Sequence, residues 1–130
     1  MAWRKAPETL VMLFHAALPD DARVERRKMF GYPAAFTGGN LFAGLHQEDL
    51  ILRLPAEDRA QAQRTIGARP FEPIPGRAMR EYVALADAER LGSGRLHLWL
   101  ARSFAYVRTL PAKESRRTSA RARRSTRART

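Results

Sequence analysis

Residues 28–54 read KMFGYPAAFTGGNLFAGLHQEDLILRL, and this stretch decides the fold. At its centre stands Gly38-Gly39, flanked by Thr37 and Asn40. Glycine has no Cβ and takes the positive φ angles that a two-residue hairpin turn imposes on both central positions. A turn there pairs Phe36 with Leu41, Ala34 with Ala43 and Tyr32 with Leu45. A second tight turn at Gln47-Glu48 pairs Leu45 with Leu50, Ala43 with Leu52 and Leu41 with Leu54. A slip of one residue sends every side chain of a strand to the other face, so the agreement of two independent turns carries weight. Together they predict one apolar face of Tyr32, Ala34, Phe36, Leu41, Ala43, Leu45, Leu50, Leu52 and Leu54. The opposite face, with Gly31, Gly44, His46, Asp49 and Arg53, is mixed and partly wet. That asymmetry is what an antiparallel sheet covered on one side requires. Gln47-Glu48 is not a favoured pair for the primed turns, which leaves room for a longer loop there. Pro33 has no N–H for a ladder bond and belongs at a bulge or an edge position.

Upstream, Pro7 and Glu8 suit the first turn of a helix, proline by its fixed φ and the acid by the helix dipole. Leu10, Leu13, Phe14, Ala17 and Leu18 then fall on one helical face, and Pro19 ends the run. Residues 20–27 read as a polar connection. Downstream, Pro55 with Glu57 and Asp58 opens a helix that Gly67 closes beyond Ile66. The segment 70–76, PFEPIPG, is a stiff irregular connection, and 80–86, REYVALA, reads as a fourth strand. A last helix buries Leu96, Trp99, Leu100, Phe104 and Val107, turns Arg95, Arg102 and Tyr106 outward and stops at Pro111. The order α-β-β-β-α-β-α predicts an α+β two-layer sandwich, with an antiparallel sheet of about four to five strands and helices packed on one face.

A chain of 130 residues with 45% hydrophobic and 28% charged side chains has the makings of one globular domain. Its net charge of +11 is uneven. Residues 112–130 hold Lys113, Arg116, Arg117, Arg121, Arg123, Arg124, Arg127 and Arg129 against Glu114 alone, eight cations to one acid, a net +7. Residues 1–111 keep sixteen basic and twelve acidic side chains, a net +4. The division predicted is therefore a domain over 1–111 and a disordered basic tail over 112–130, where no large apolar side chain is left to bury. The absence of cysteine excludes disulfides and thiolate chemistry. The apolar N-terminal run is interrupted by Glu8 and His15 and is helically periodic, so it reads as a packed helix rather than a signal peptide. A cytoplasmic protein, with no membrane association, is expected.

Chemistry-bearing constellations are hard to find. His15, His46 and His97 are far apart on helix, hairpin and helix, so no metal site is expected. Glu48-Asp49 and Glu57-Asp58 are sequence neighbours whose side chains diverge, unlike an acid–base pair. The glycine pair is followed by a strand, not the helix a phosphate loop needs. No nucleophile stands beside a recognisable base. Phe30, Tyr32 and Phe42 invite comparison with a base-stacking sheet, but the register divides them between faces and core packing explains them better. No catalytic residue and no cofactor is expected.

Three runs together carry a family resemblance: RKMFGYPAAFTGGNLFAGLHQEDLILRL, then ARPFEPIPGRAMREYVAL, then LWLARSF. They resemble the N-terminal domain of the TfoX/Sxy family, named for regulators of natural competence, over about Pro7 to Pro111. The most specific elements are Met29-Phe30-Gly31, the glycine turn, the 50–54 strand, Pro70-Phe71 and Arg80-Glu81-Tyr82. The resemblance implies a two-layer domain grouped with secretion-chaperone-like folds. It also implies a link to transcription, since the founding regulators are thought to act alongside the cyclic-AMP receptor protein at competence promoters. Those regulators carry a second, C-terminal domain; the expectation here is the N-terminal domain standing alone. The resemblance supplies no catalytic residues.

The function expected is that of a non-enzymatic interaction module, docking a protein partner such as a transcription regulator through a sheet face or edge. The alternative is a nonspecific nucleic-acid-binding accessory protein. In that reading the eight tail cations, Lys113 to Arg129, neutralise phosphates with a salt slope of about −0.9 per contact. A third reading, a small-molecule-binding or catalytic domain, rests on the mixed sheet face with His46 and Arg53.

Overall fold

The computed structural model describes residues 4–113. Helix α1 (Glu8–Ala17) is followed by four consecutive strands, β1 (Glu25–Met29), β2 (Tyr32–Thr37), β3 (Asn40–His46) and β4 (Asp49–Arg53). Helix α2 (Ala56–Thr65), the two-residue β5 (Arg69–Pro70), β6 (Tyr82–Ala86), a 3-10 turn (Ala88–Leu91) and α3 (Gly92–Arg108) complete the order. All strand pairs are antiparallel, in the order β1-β2-β3-β4-β6-β5. The fold is α+β, as expected, with six strands rather than four or five.

The helical side of the sheet holds the core. Leu50, Leu52 and Leu54 from the β4 segment and Val83 and Leu85 from β6 pack under Leu96, Leu100 and Val107 of α3, all of them buried. Leu10, Phe14 and Ala17 of α1 and Ala62 and Ile66 at α2 close the layer. Those from α1 and α3 are among the residues that helical periodicity selected.

Three of the expected strand pairings need correction: Ala34 with Ala43, Tyr32 with Leu45, and Leu41 with Leu54, which lies beyond the end of β4 on the opposite face from Leu41. The second hairpin is in the predicted register, with Ala43 opposite Leu52 and Leu45 opposite Leu50, and Gln47 takes φ +56° in a two-residue turn. In the first hairpin Phe36 faces Leu41 as predicted, but Ala35 faces Ala43 and Ala34 faces Gly44. Phe42 is the extra residue of a β-bulge, and beyond it the register is shifted by one. Tyr32, Ala34, Phe36 and Leu41 therefore leave the predicted core face for the opposite one. Ala35 and Phe42 take their place beneath the helices, each fully buried.

The polar connection predicted over 20–27 also differs, because its second half is the edge strand β1. Its sequence, ERRKM, has no apolar alternation, and an edge exposed on both faces needs none. With β1 outermost, Pro33 lies in an interior strand opposite Lys28, neither at an edge nor at the bulge. Gly31 is not a sheet-face residue; with Phe30 it forms the β1–β2 turn, at φ +83° and +55°. Beyond Pro111, Ala112 and Lys113 lie against the β2–β3 turn, where the Lys113 N–H donates to the Gly38 carbonyl at 2.6 Å.

Candidate functional site on the open face of the sheet

The face turned away from the helices is concave and mostly apolar. Its concavity has a volume of about 810 Å3, within the range of about 300–1,000 Å3 usual for binding sites. The floor comes from alternate residues of four strands: Tyr32, Ala34 and Phe36 of β2, Leu41 and Gly44 of β3, Ile51 and Arg53 of β4, and Tyr82 of β6. Cross-strand pairing of Ala34 with Gly44 and of Gly44 with Ile51 fixes these on one face. The wall is the 71–79 segment, from which Phe71, Pro73, Ile74 and Met79 lean over the sheet. That wall is tied down by backbone bonds from Phe71 N–H to the Tyr82 carbonyl (3.2 Å) and from Met79 N–H to the Phe71 carbonyl (2.8 Å).

The Phe30-Gly31 turn carries Phe30 and Met29 to the other side of the mouth. Met29-Phe30-Gly31 thus combines a conformational demand with a placement. Gly31 meets the left-handed backbone at no cost, and Phe30 accepts that strain while its ring stands at the rim, 81% exposed. Ile74 and Met79, at 58% and 38%, are exposed on the opposite wall. Among the described residues five large hydrophobic side chains are exposed, and these three of them share one concavity.

Polar groups are few and mostly committed. His46 sits between the rings of Tyr32 and Phe71, with centroids 5.7 and 5.4 Å away. The Tyr32 hydroxyl donates to the Arg4 carbonyl, pinning the chain entering α1 to the rim. Arg53 donates through Nε to Glu81 Oε1 at 2.9 Å, and the Tyr106 hydroxyl donates to Glu81 Oε2 at 2.6 Å. Glu81 is held below its ordinary value, first by the Tyr106 hydrogen bond and then, against a desolvation penalty, by Arg53. Burial raises the Tyr82 hydroxyl above its ordinary value. Among the described residues the charged groups lining the concavity are Arg4, Arg53 and Lys113, and none is a carboxylate.

The structure brings His46 and Arg53 to one cavity, as the mixed-face reading supposed, and adds apolar neighbours that it did not foresee. His15 and His97 are elsewhere: His15 Nδ1 lies 3.4 Å from Arg26, and His97 Nδ1 bonds the Ala17 carbonyl at 2.9 Å. The His15 imidazole is pushed below its ordinary value, by burial first and by Arg26 second. Phe42 is in the core against Phe104, so the three aromatics considered for base stacking divide between core and concavity. Of the tail cations only Lys113 is described; Arg116, Arg117, Arg121, Arg123, Arg124, Arg127 and Arg129 lie outside the described residues. Sequence reading missed Phe71, Ile74 and Met79, for which the signal available was a proline-stiffened apolar segment between two strands. No helix among the described residues is long and apolar enough to cross a membrane.

No curated protein and no solved structure matches this chain. The model of the TfoX N-terminal domain matches residues 16–106, from the end of α1 to Tyr106 of α3, and so takes in the whole sheet and every residue lining its concavity except Arg4 and Lys113. The match spans more than half of the chain, and the protein belongs to the TfoX N-terminal domain family.

Proposed function

We propose that this domain is a non-enzymatic interaction module that docks an apolar segment of a protein partner in the concavity of its open sheet face. The observation that carries the reading is the gathering of exposed Phe30, Ile74 and Met79 around one recess. Contiguous exposed apolar surface with aromatic and methionine side chains is the composition of protein interfaces. A carbon-lined floor whose Arg53 is already engaged by Glu81 suits binding more than bond-breaking. The family resemblance extends the reading to a partner in transcription.

Site-specific photo-crosslinking of the full chain in cells tests it. A photoreactive phenylalanine analogue at position 74 is expected to capture one discrete protein. The same group at position 98, where Leu98 is exposed on α3, is expected not to capture that protein. Equal capture from both positions, or none from position 74, would overturn the reading.

A further inference from the structure

The concavity is apolar in its floor and cationic around its mouth. Arg4 stands at the end marked by the Gln47-Glu48 turn, and Lys113 at the β2–β3 turn beside Gly39. Along the β1 side the Arg27 guanidinium lies 5.2 Å from the centre of the Phe36 ring. Arg77 and Arg80, both exposed, stand close in sequence to the lining residue Met79 without lining the recess themselves. Three of the nearby acids are paired, Glu48 with Arg4 at 2.7 Å, Glu25 with Arg27 at 2.5 Å and Glu81 with Arg53 at 2.8 Å, while Glu72, exposed on the wall segment outside the lining, accepts from the Gly76 N–H at 3.3 Å. Among the described residues Lys113, Arg77 and Arg80 have no ion-pair partner. A segment seated in the recess therefore meets the bare charge of Lys113 at one end of an apolar bed, with Arg80 close to the wall.

From this we infer that the segment docked in the concavity is acidic and amphipathic, with apolar side chains entering between Phe30 and Ile74 and carboxylates meeting Lys113 and Arg80. The inference rests on the docking reading above and names its partner's chemistry. Charge complementarity of this kind selects partners, because like-charge juxtaposition across an interface is repulsive.

The experiment uses the full chain and three fluorescent peptides with one apolar pattern, whose intervening positions are all glutamate, all glutamine or all lysine. Anisotropy at low salt is expected to show the glutamate peptide binding about tenfold more tightly than the lysine peptide. The gap should close as salt shortens the screening length from about 10 Å at 0.1 M to about 3 Å at 1 M. The cationic residues beyond Pro111 attract acidic peptides too, so two surface variants assign the site. Ile74→Glu with Met79→Glu must abolish the difference while leaving the tail intact, and Lys113→Glu with Arg80→Glu must reverse or erase it. Glutamine or lysine peptides binding as well as glutamate, still sensitive to the Ile74/Met79 variant, would leave docking in place and overturn the acidic assignment. No peptide binding sensitive to that variant would overturn both. Dodecanoate, run as a fourth probe, would likewise overturn both if it alone bound there.

Discussion

Replacing Ser103 by alanine should cost more stability than any change of a single oxygen elsewhere on α3. Ser103 is fully buried, and its Oγ lies 2.9 Å from the Phe42 carbonyl and 2.7 Å from the Arg53 carbonyl. One hydroxyl proton is thus shared between two strands at the point where the bulge removes Phe42 from regular pairing. In Ser103→Ala both carbonyls lose this donor, and the gap of one oxygen is too small to admit a water in its place. Leaving buried acceptors unsatisfied costs about 1–3 kcal/mol, and the middle of that range is the working figure. For a domain of this size each kcal/mol lowers the melting temperature by about 4 °C, so a drop of about 8 °C is expected. Urea unfolding followed by circular dichroism should show a lower midpoint with an unchanged m-value. Ser93→Ala, at an exposed position in the first turn of the same helix, is the control and should shift the midpoint little. A Ser103→Ala midpoint equal to wild type, or a Ser93→Ala loss just as large, would refute the bridging role.

Other perturbations test separate parts of the structure. Glu81 is depressed below its unfolded value, so its contribution is fully present above the unfolded carboxylate pKa of about 4.3 and is lost as pH falls through the lower folded value. Stability should fall as the solution is acidified below that range, and Glu81→Gln should flatten part of the decline while lowering stability at neutral pH; an unaltered pH profile would rule the contribution out. Gly39→Ala should be destabilising by at least about 1 kcal/mol. Its φ is +79°, and an added Cβ would lie 1.9 Å from the Lys113 carbonyl oxygen, so the last described residues must move; a melt identical to wild type would contradict this packing. If the cationic end contacts nucleic acid, truncation after Pro111 should abolish duplex-DNA retention, and the full chain's binding should weaken steeply with salt. Retention by the truncated chain would assign any such binding to the sheet domain instead.

Different parts of this fold were legible for different physical reasons. The helices and the β3–β4 hairpin were readable because polar residues fix their phase: Asp49 and Arg53 bracket Leu50-Ile51-Leu52 and leave one alternation available. The β2–β3 hairpin had no such reference. Residues 41–45, LFAGL, contain no polar side chain, so a slip of one residue changes nothing in the hydrophobic pattern. Strand β1 was invisible for the opposite reason, being polar throughout at an edge where nothing selects apolar residues. His46 and Arg53 were placed on the open face from their alternation alone. Their apolar neighbours were not, because Phe71, Ile74 and Met79 reach the recess by tertiary closure of an irregular segment.

The bulge links these points to the candidate site. Without the extra residue, Tyr32, Ala34 and Phe36 would point beneath the helices, and the open face of β2 would offer Pro33, Ala35 and Thr37. The one-residue shift gives Tyr32 and Phe36 to the concavity and puts Ala35 and Thr37 against the helical layer, where both are buried. Phe42 fills the core volume that the shift vacates, 5.5 Å from Phe104, and Ser103 holds its carbonyl. The core and the binding face are therefore set by the same irregularity. A substitution that loosens Phe42 from α3 should disturb the open face as well as the stability of the domain.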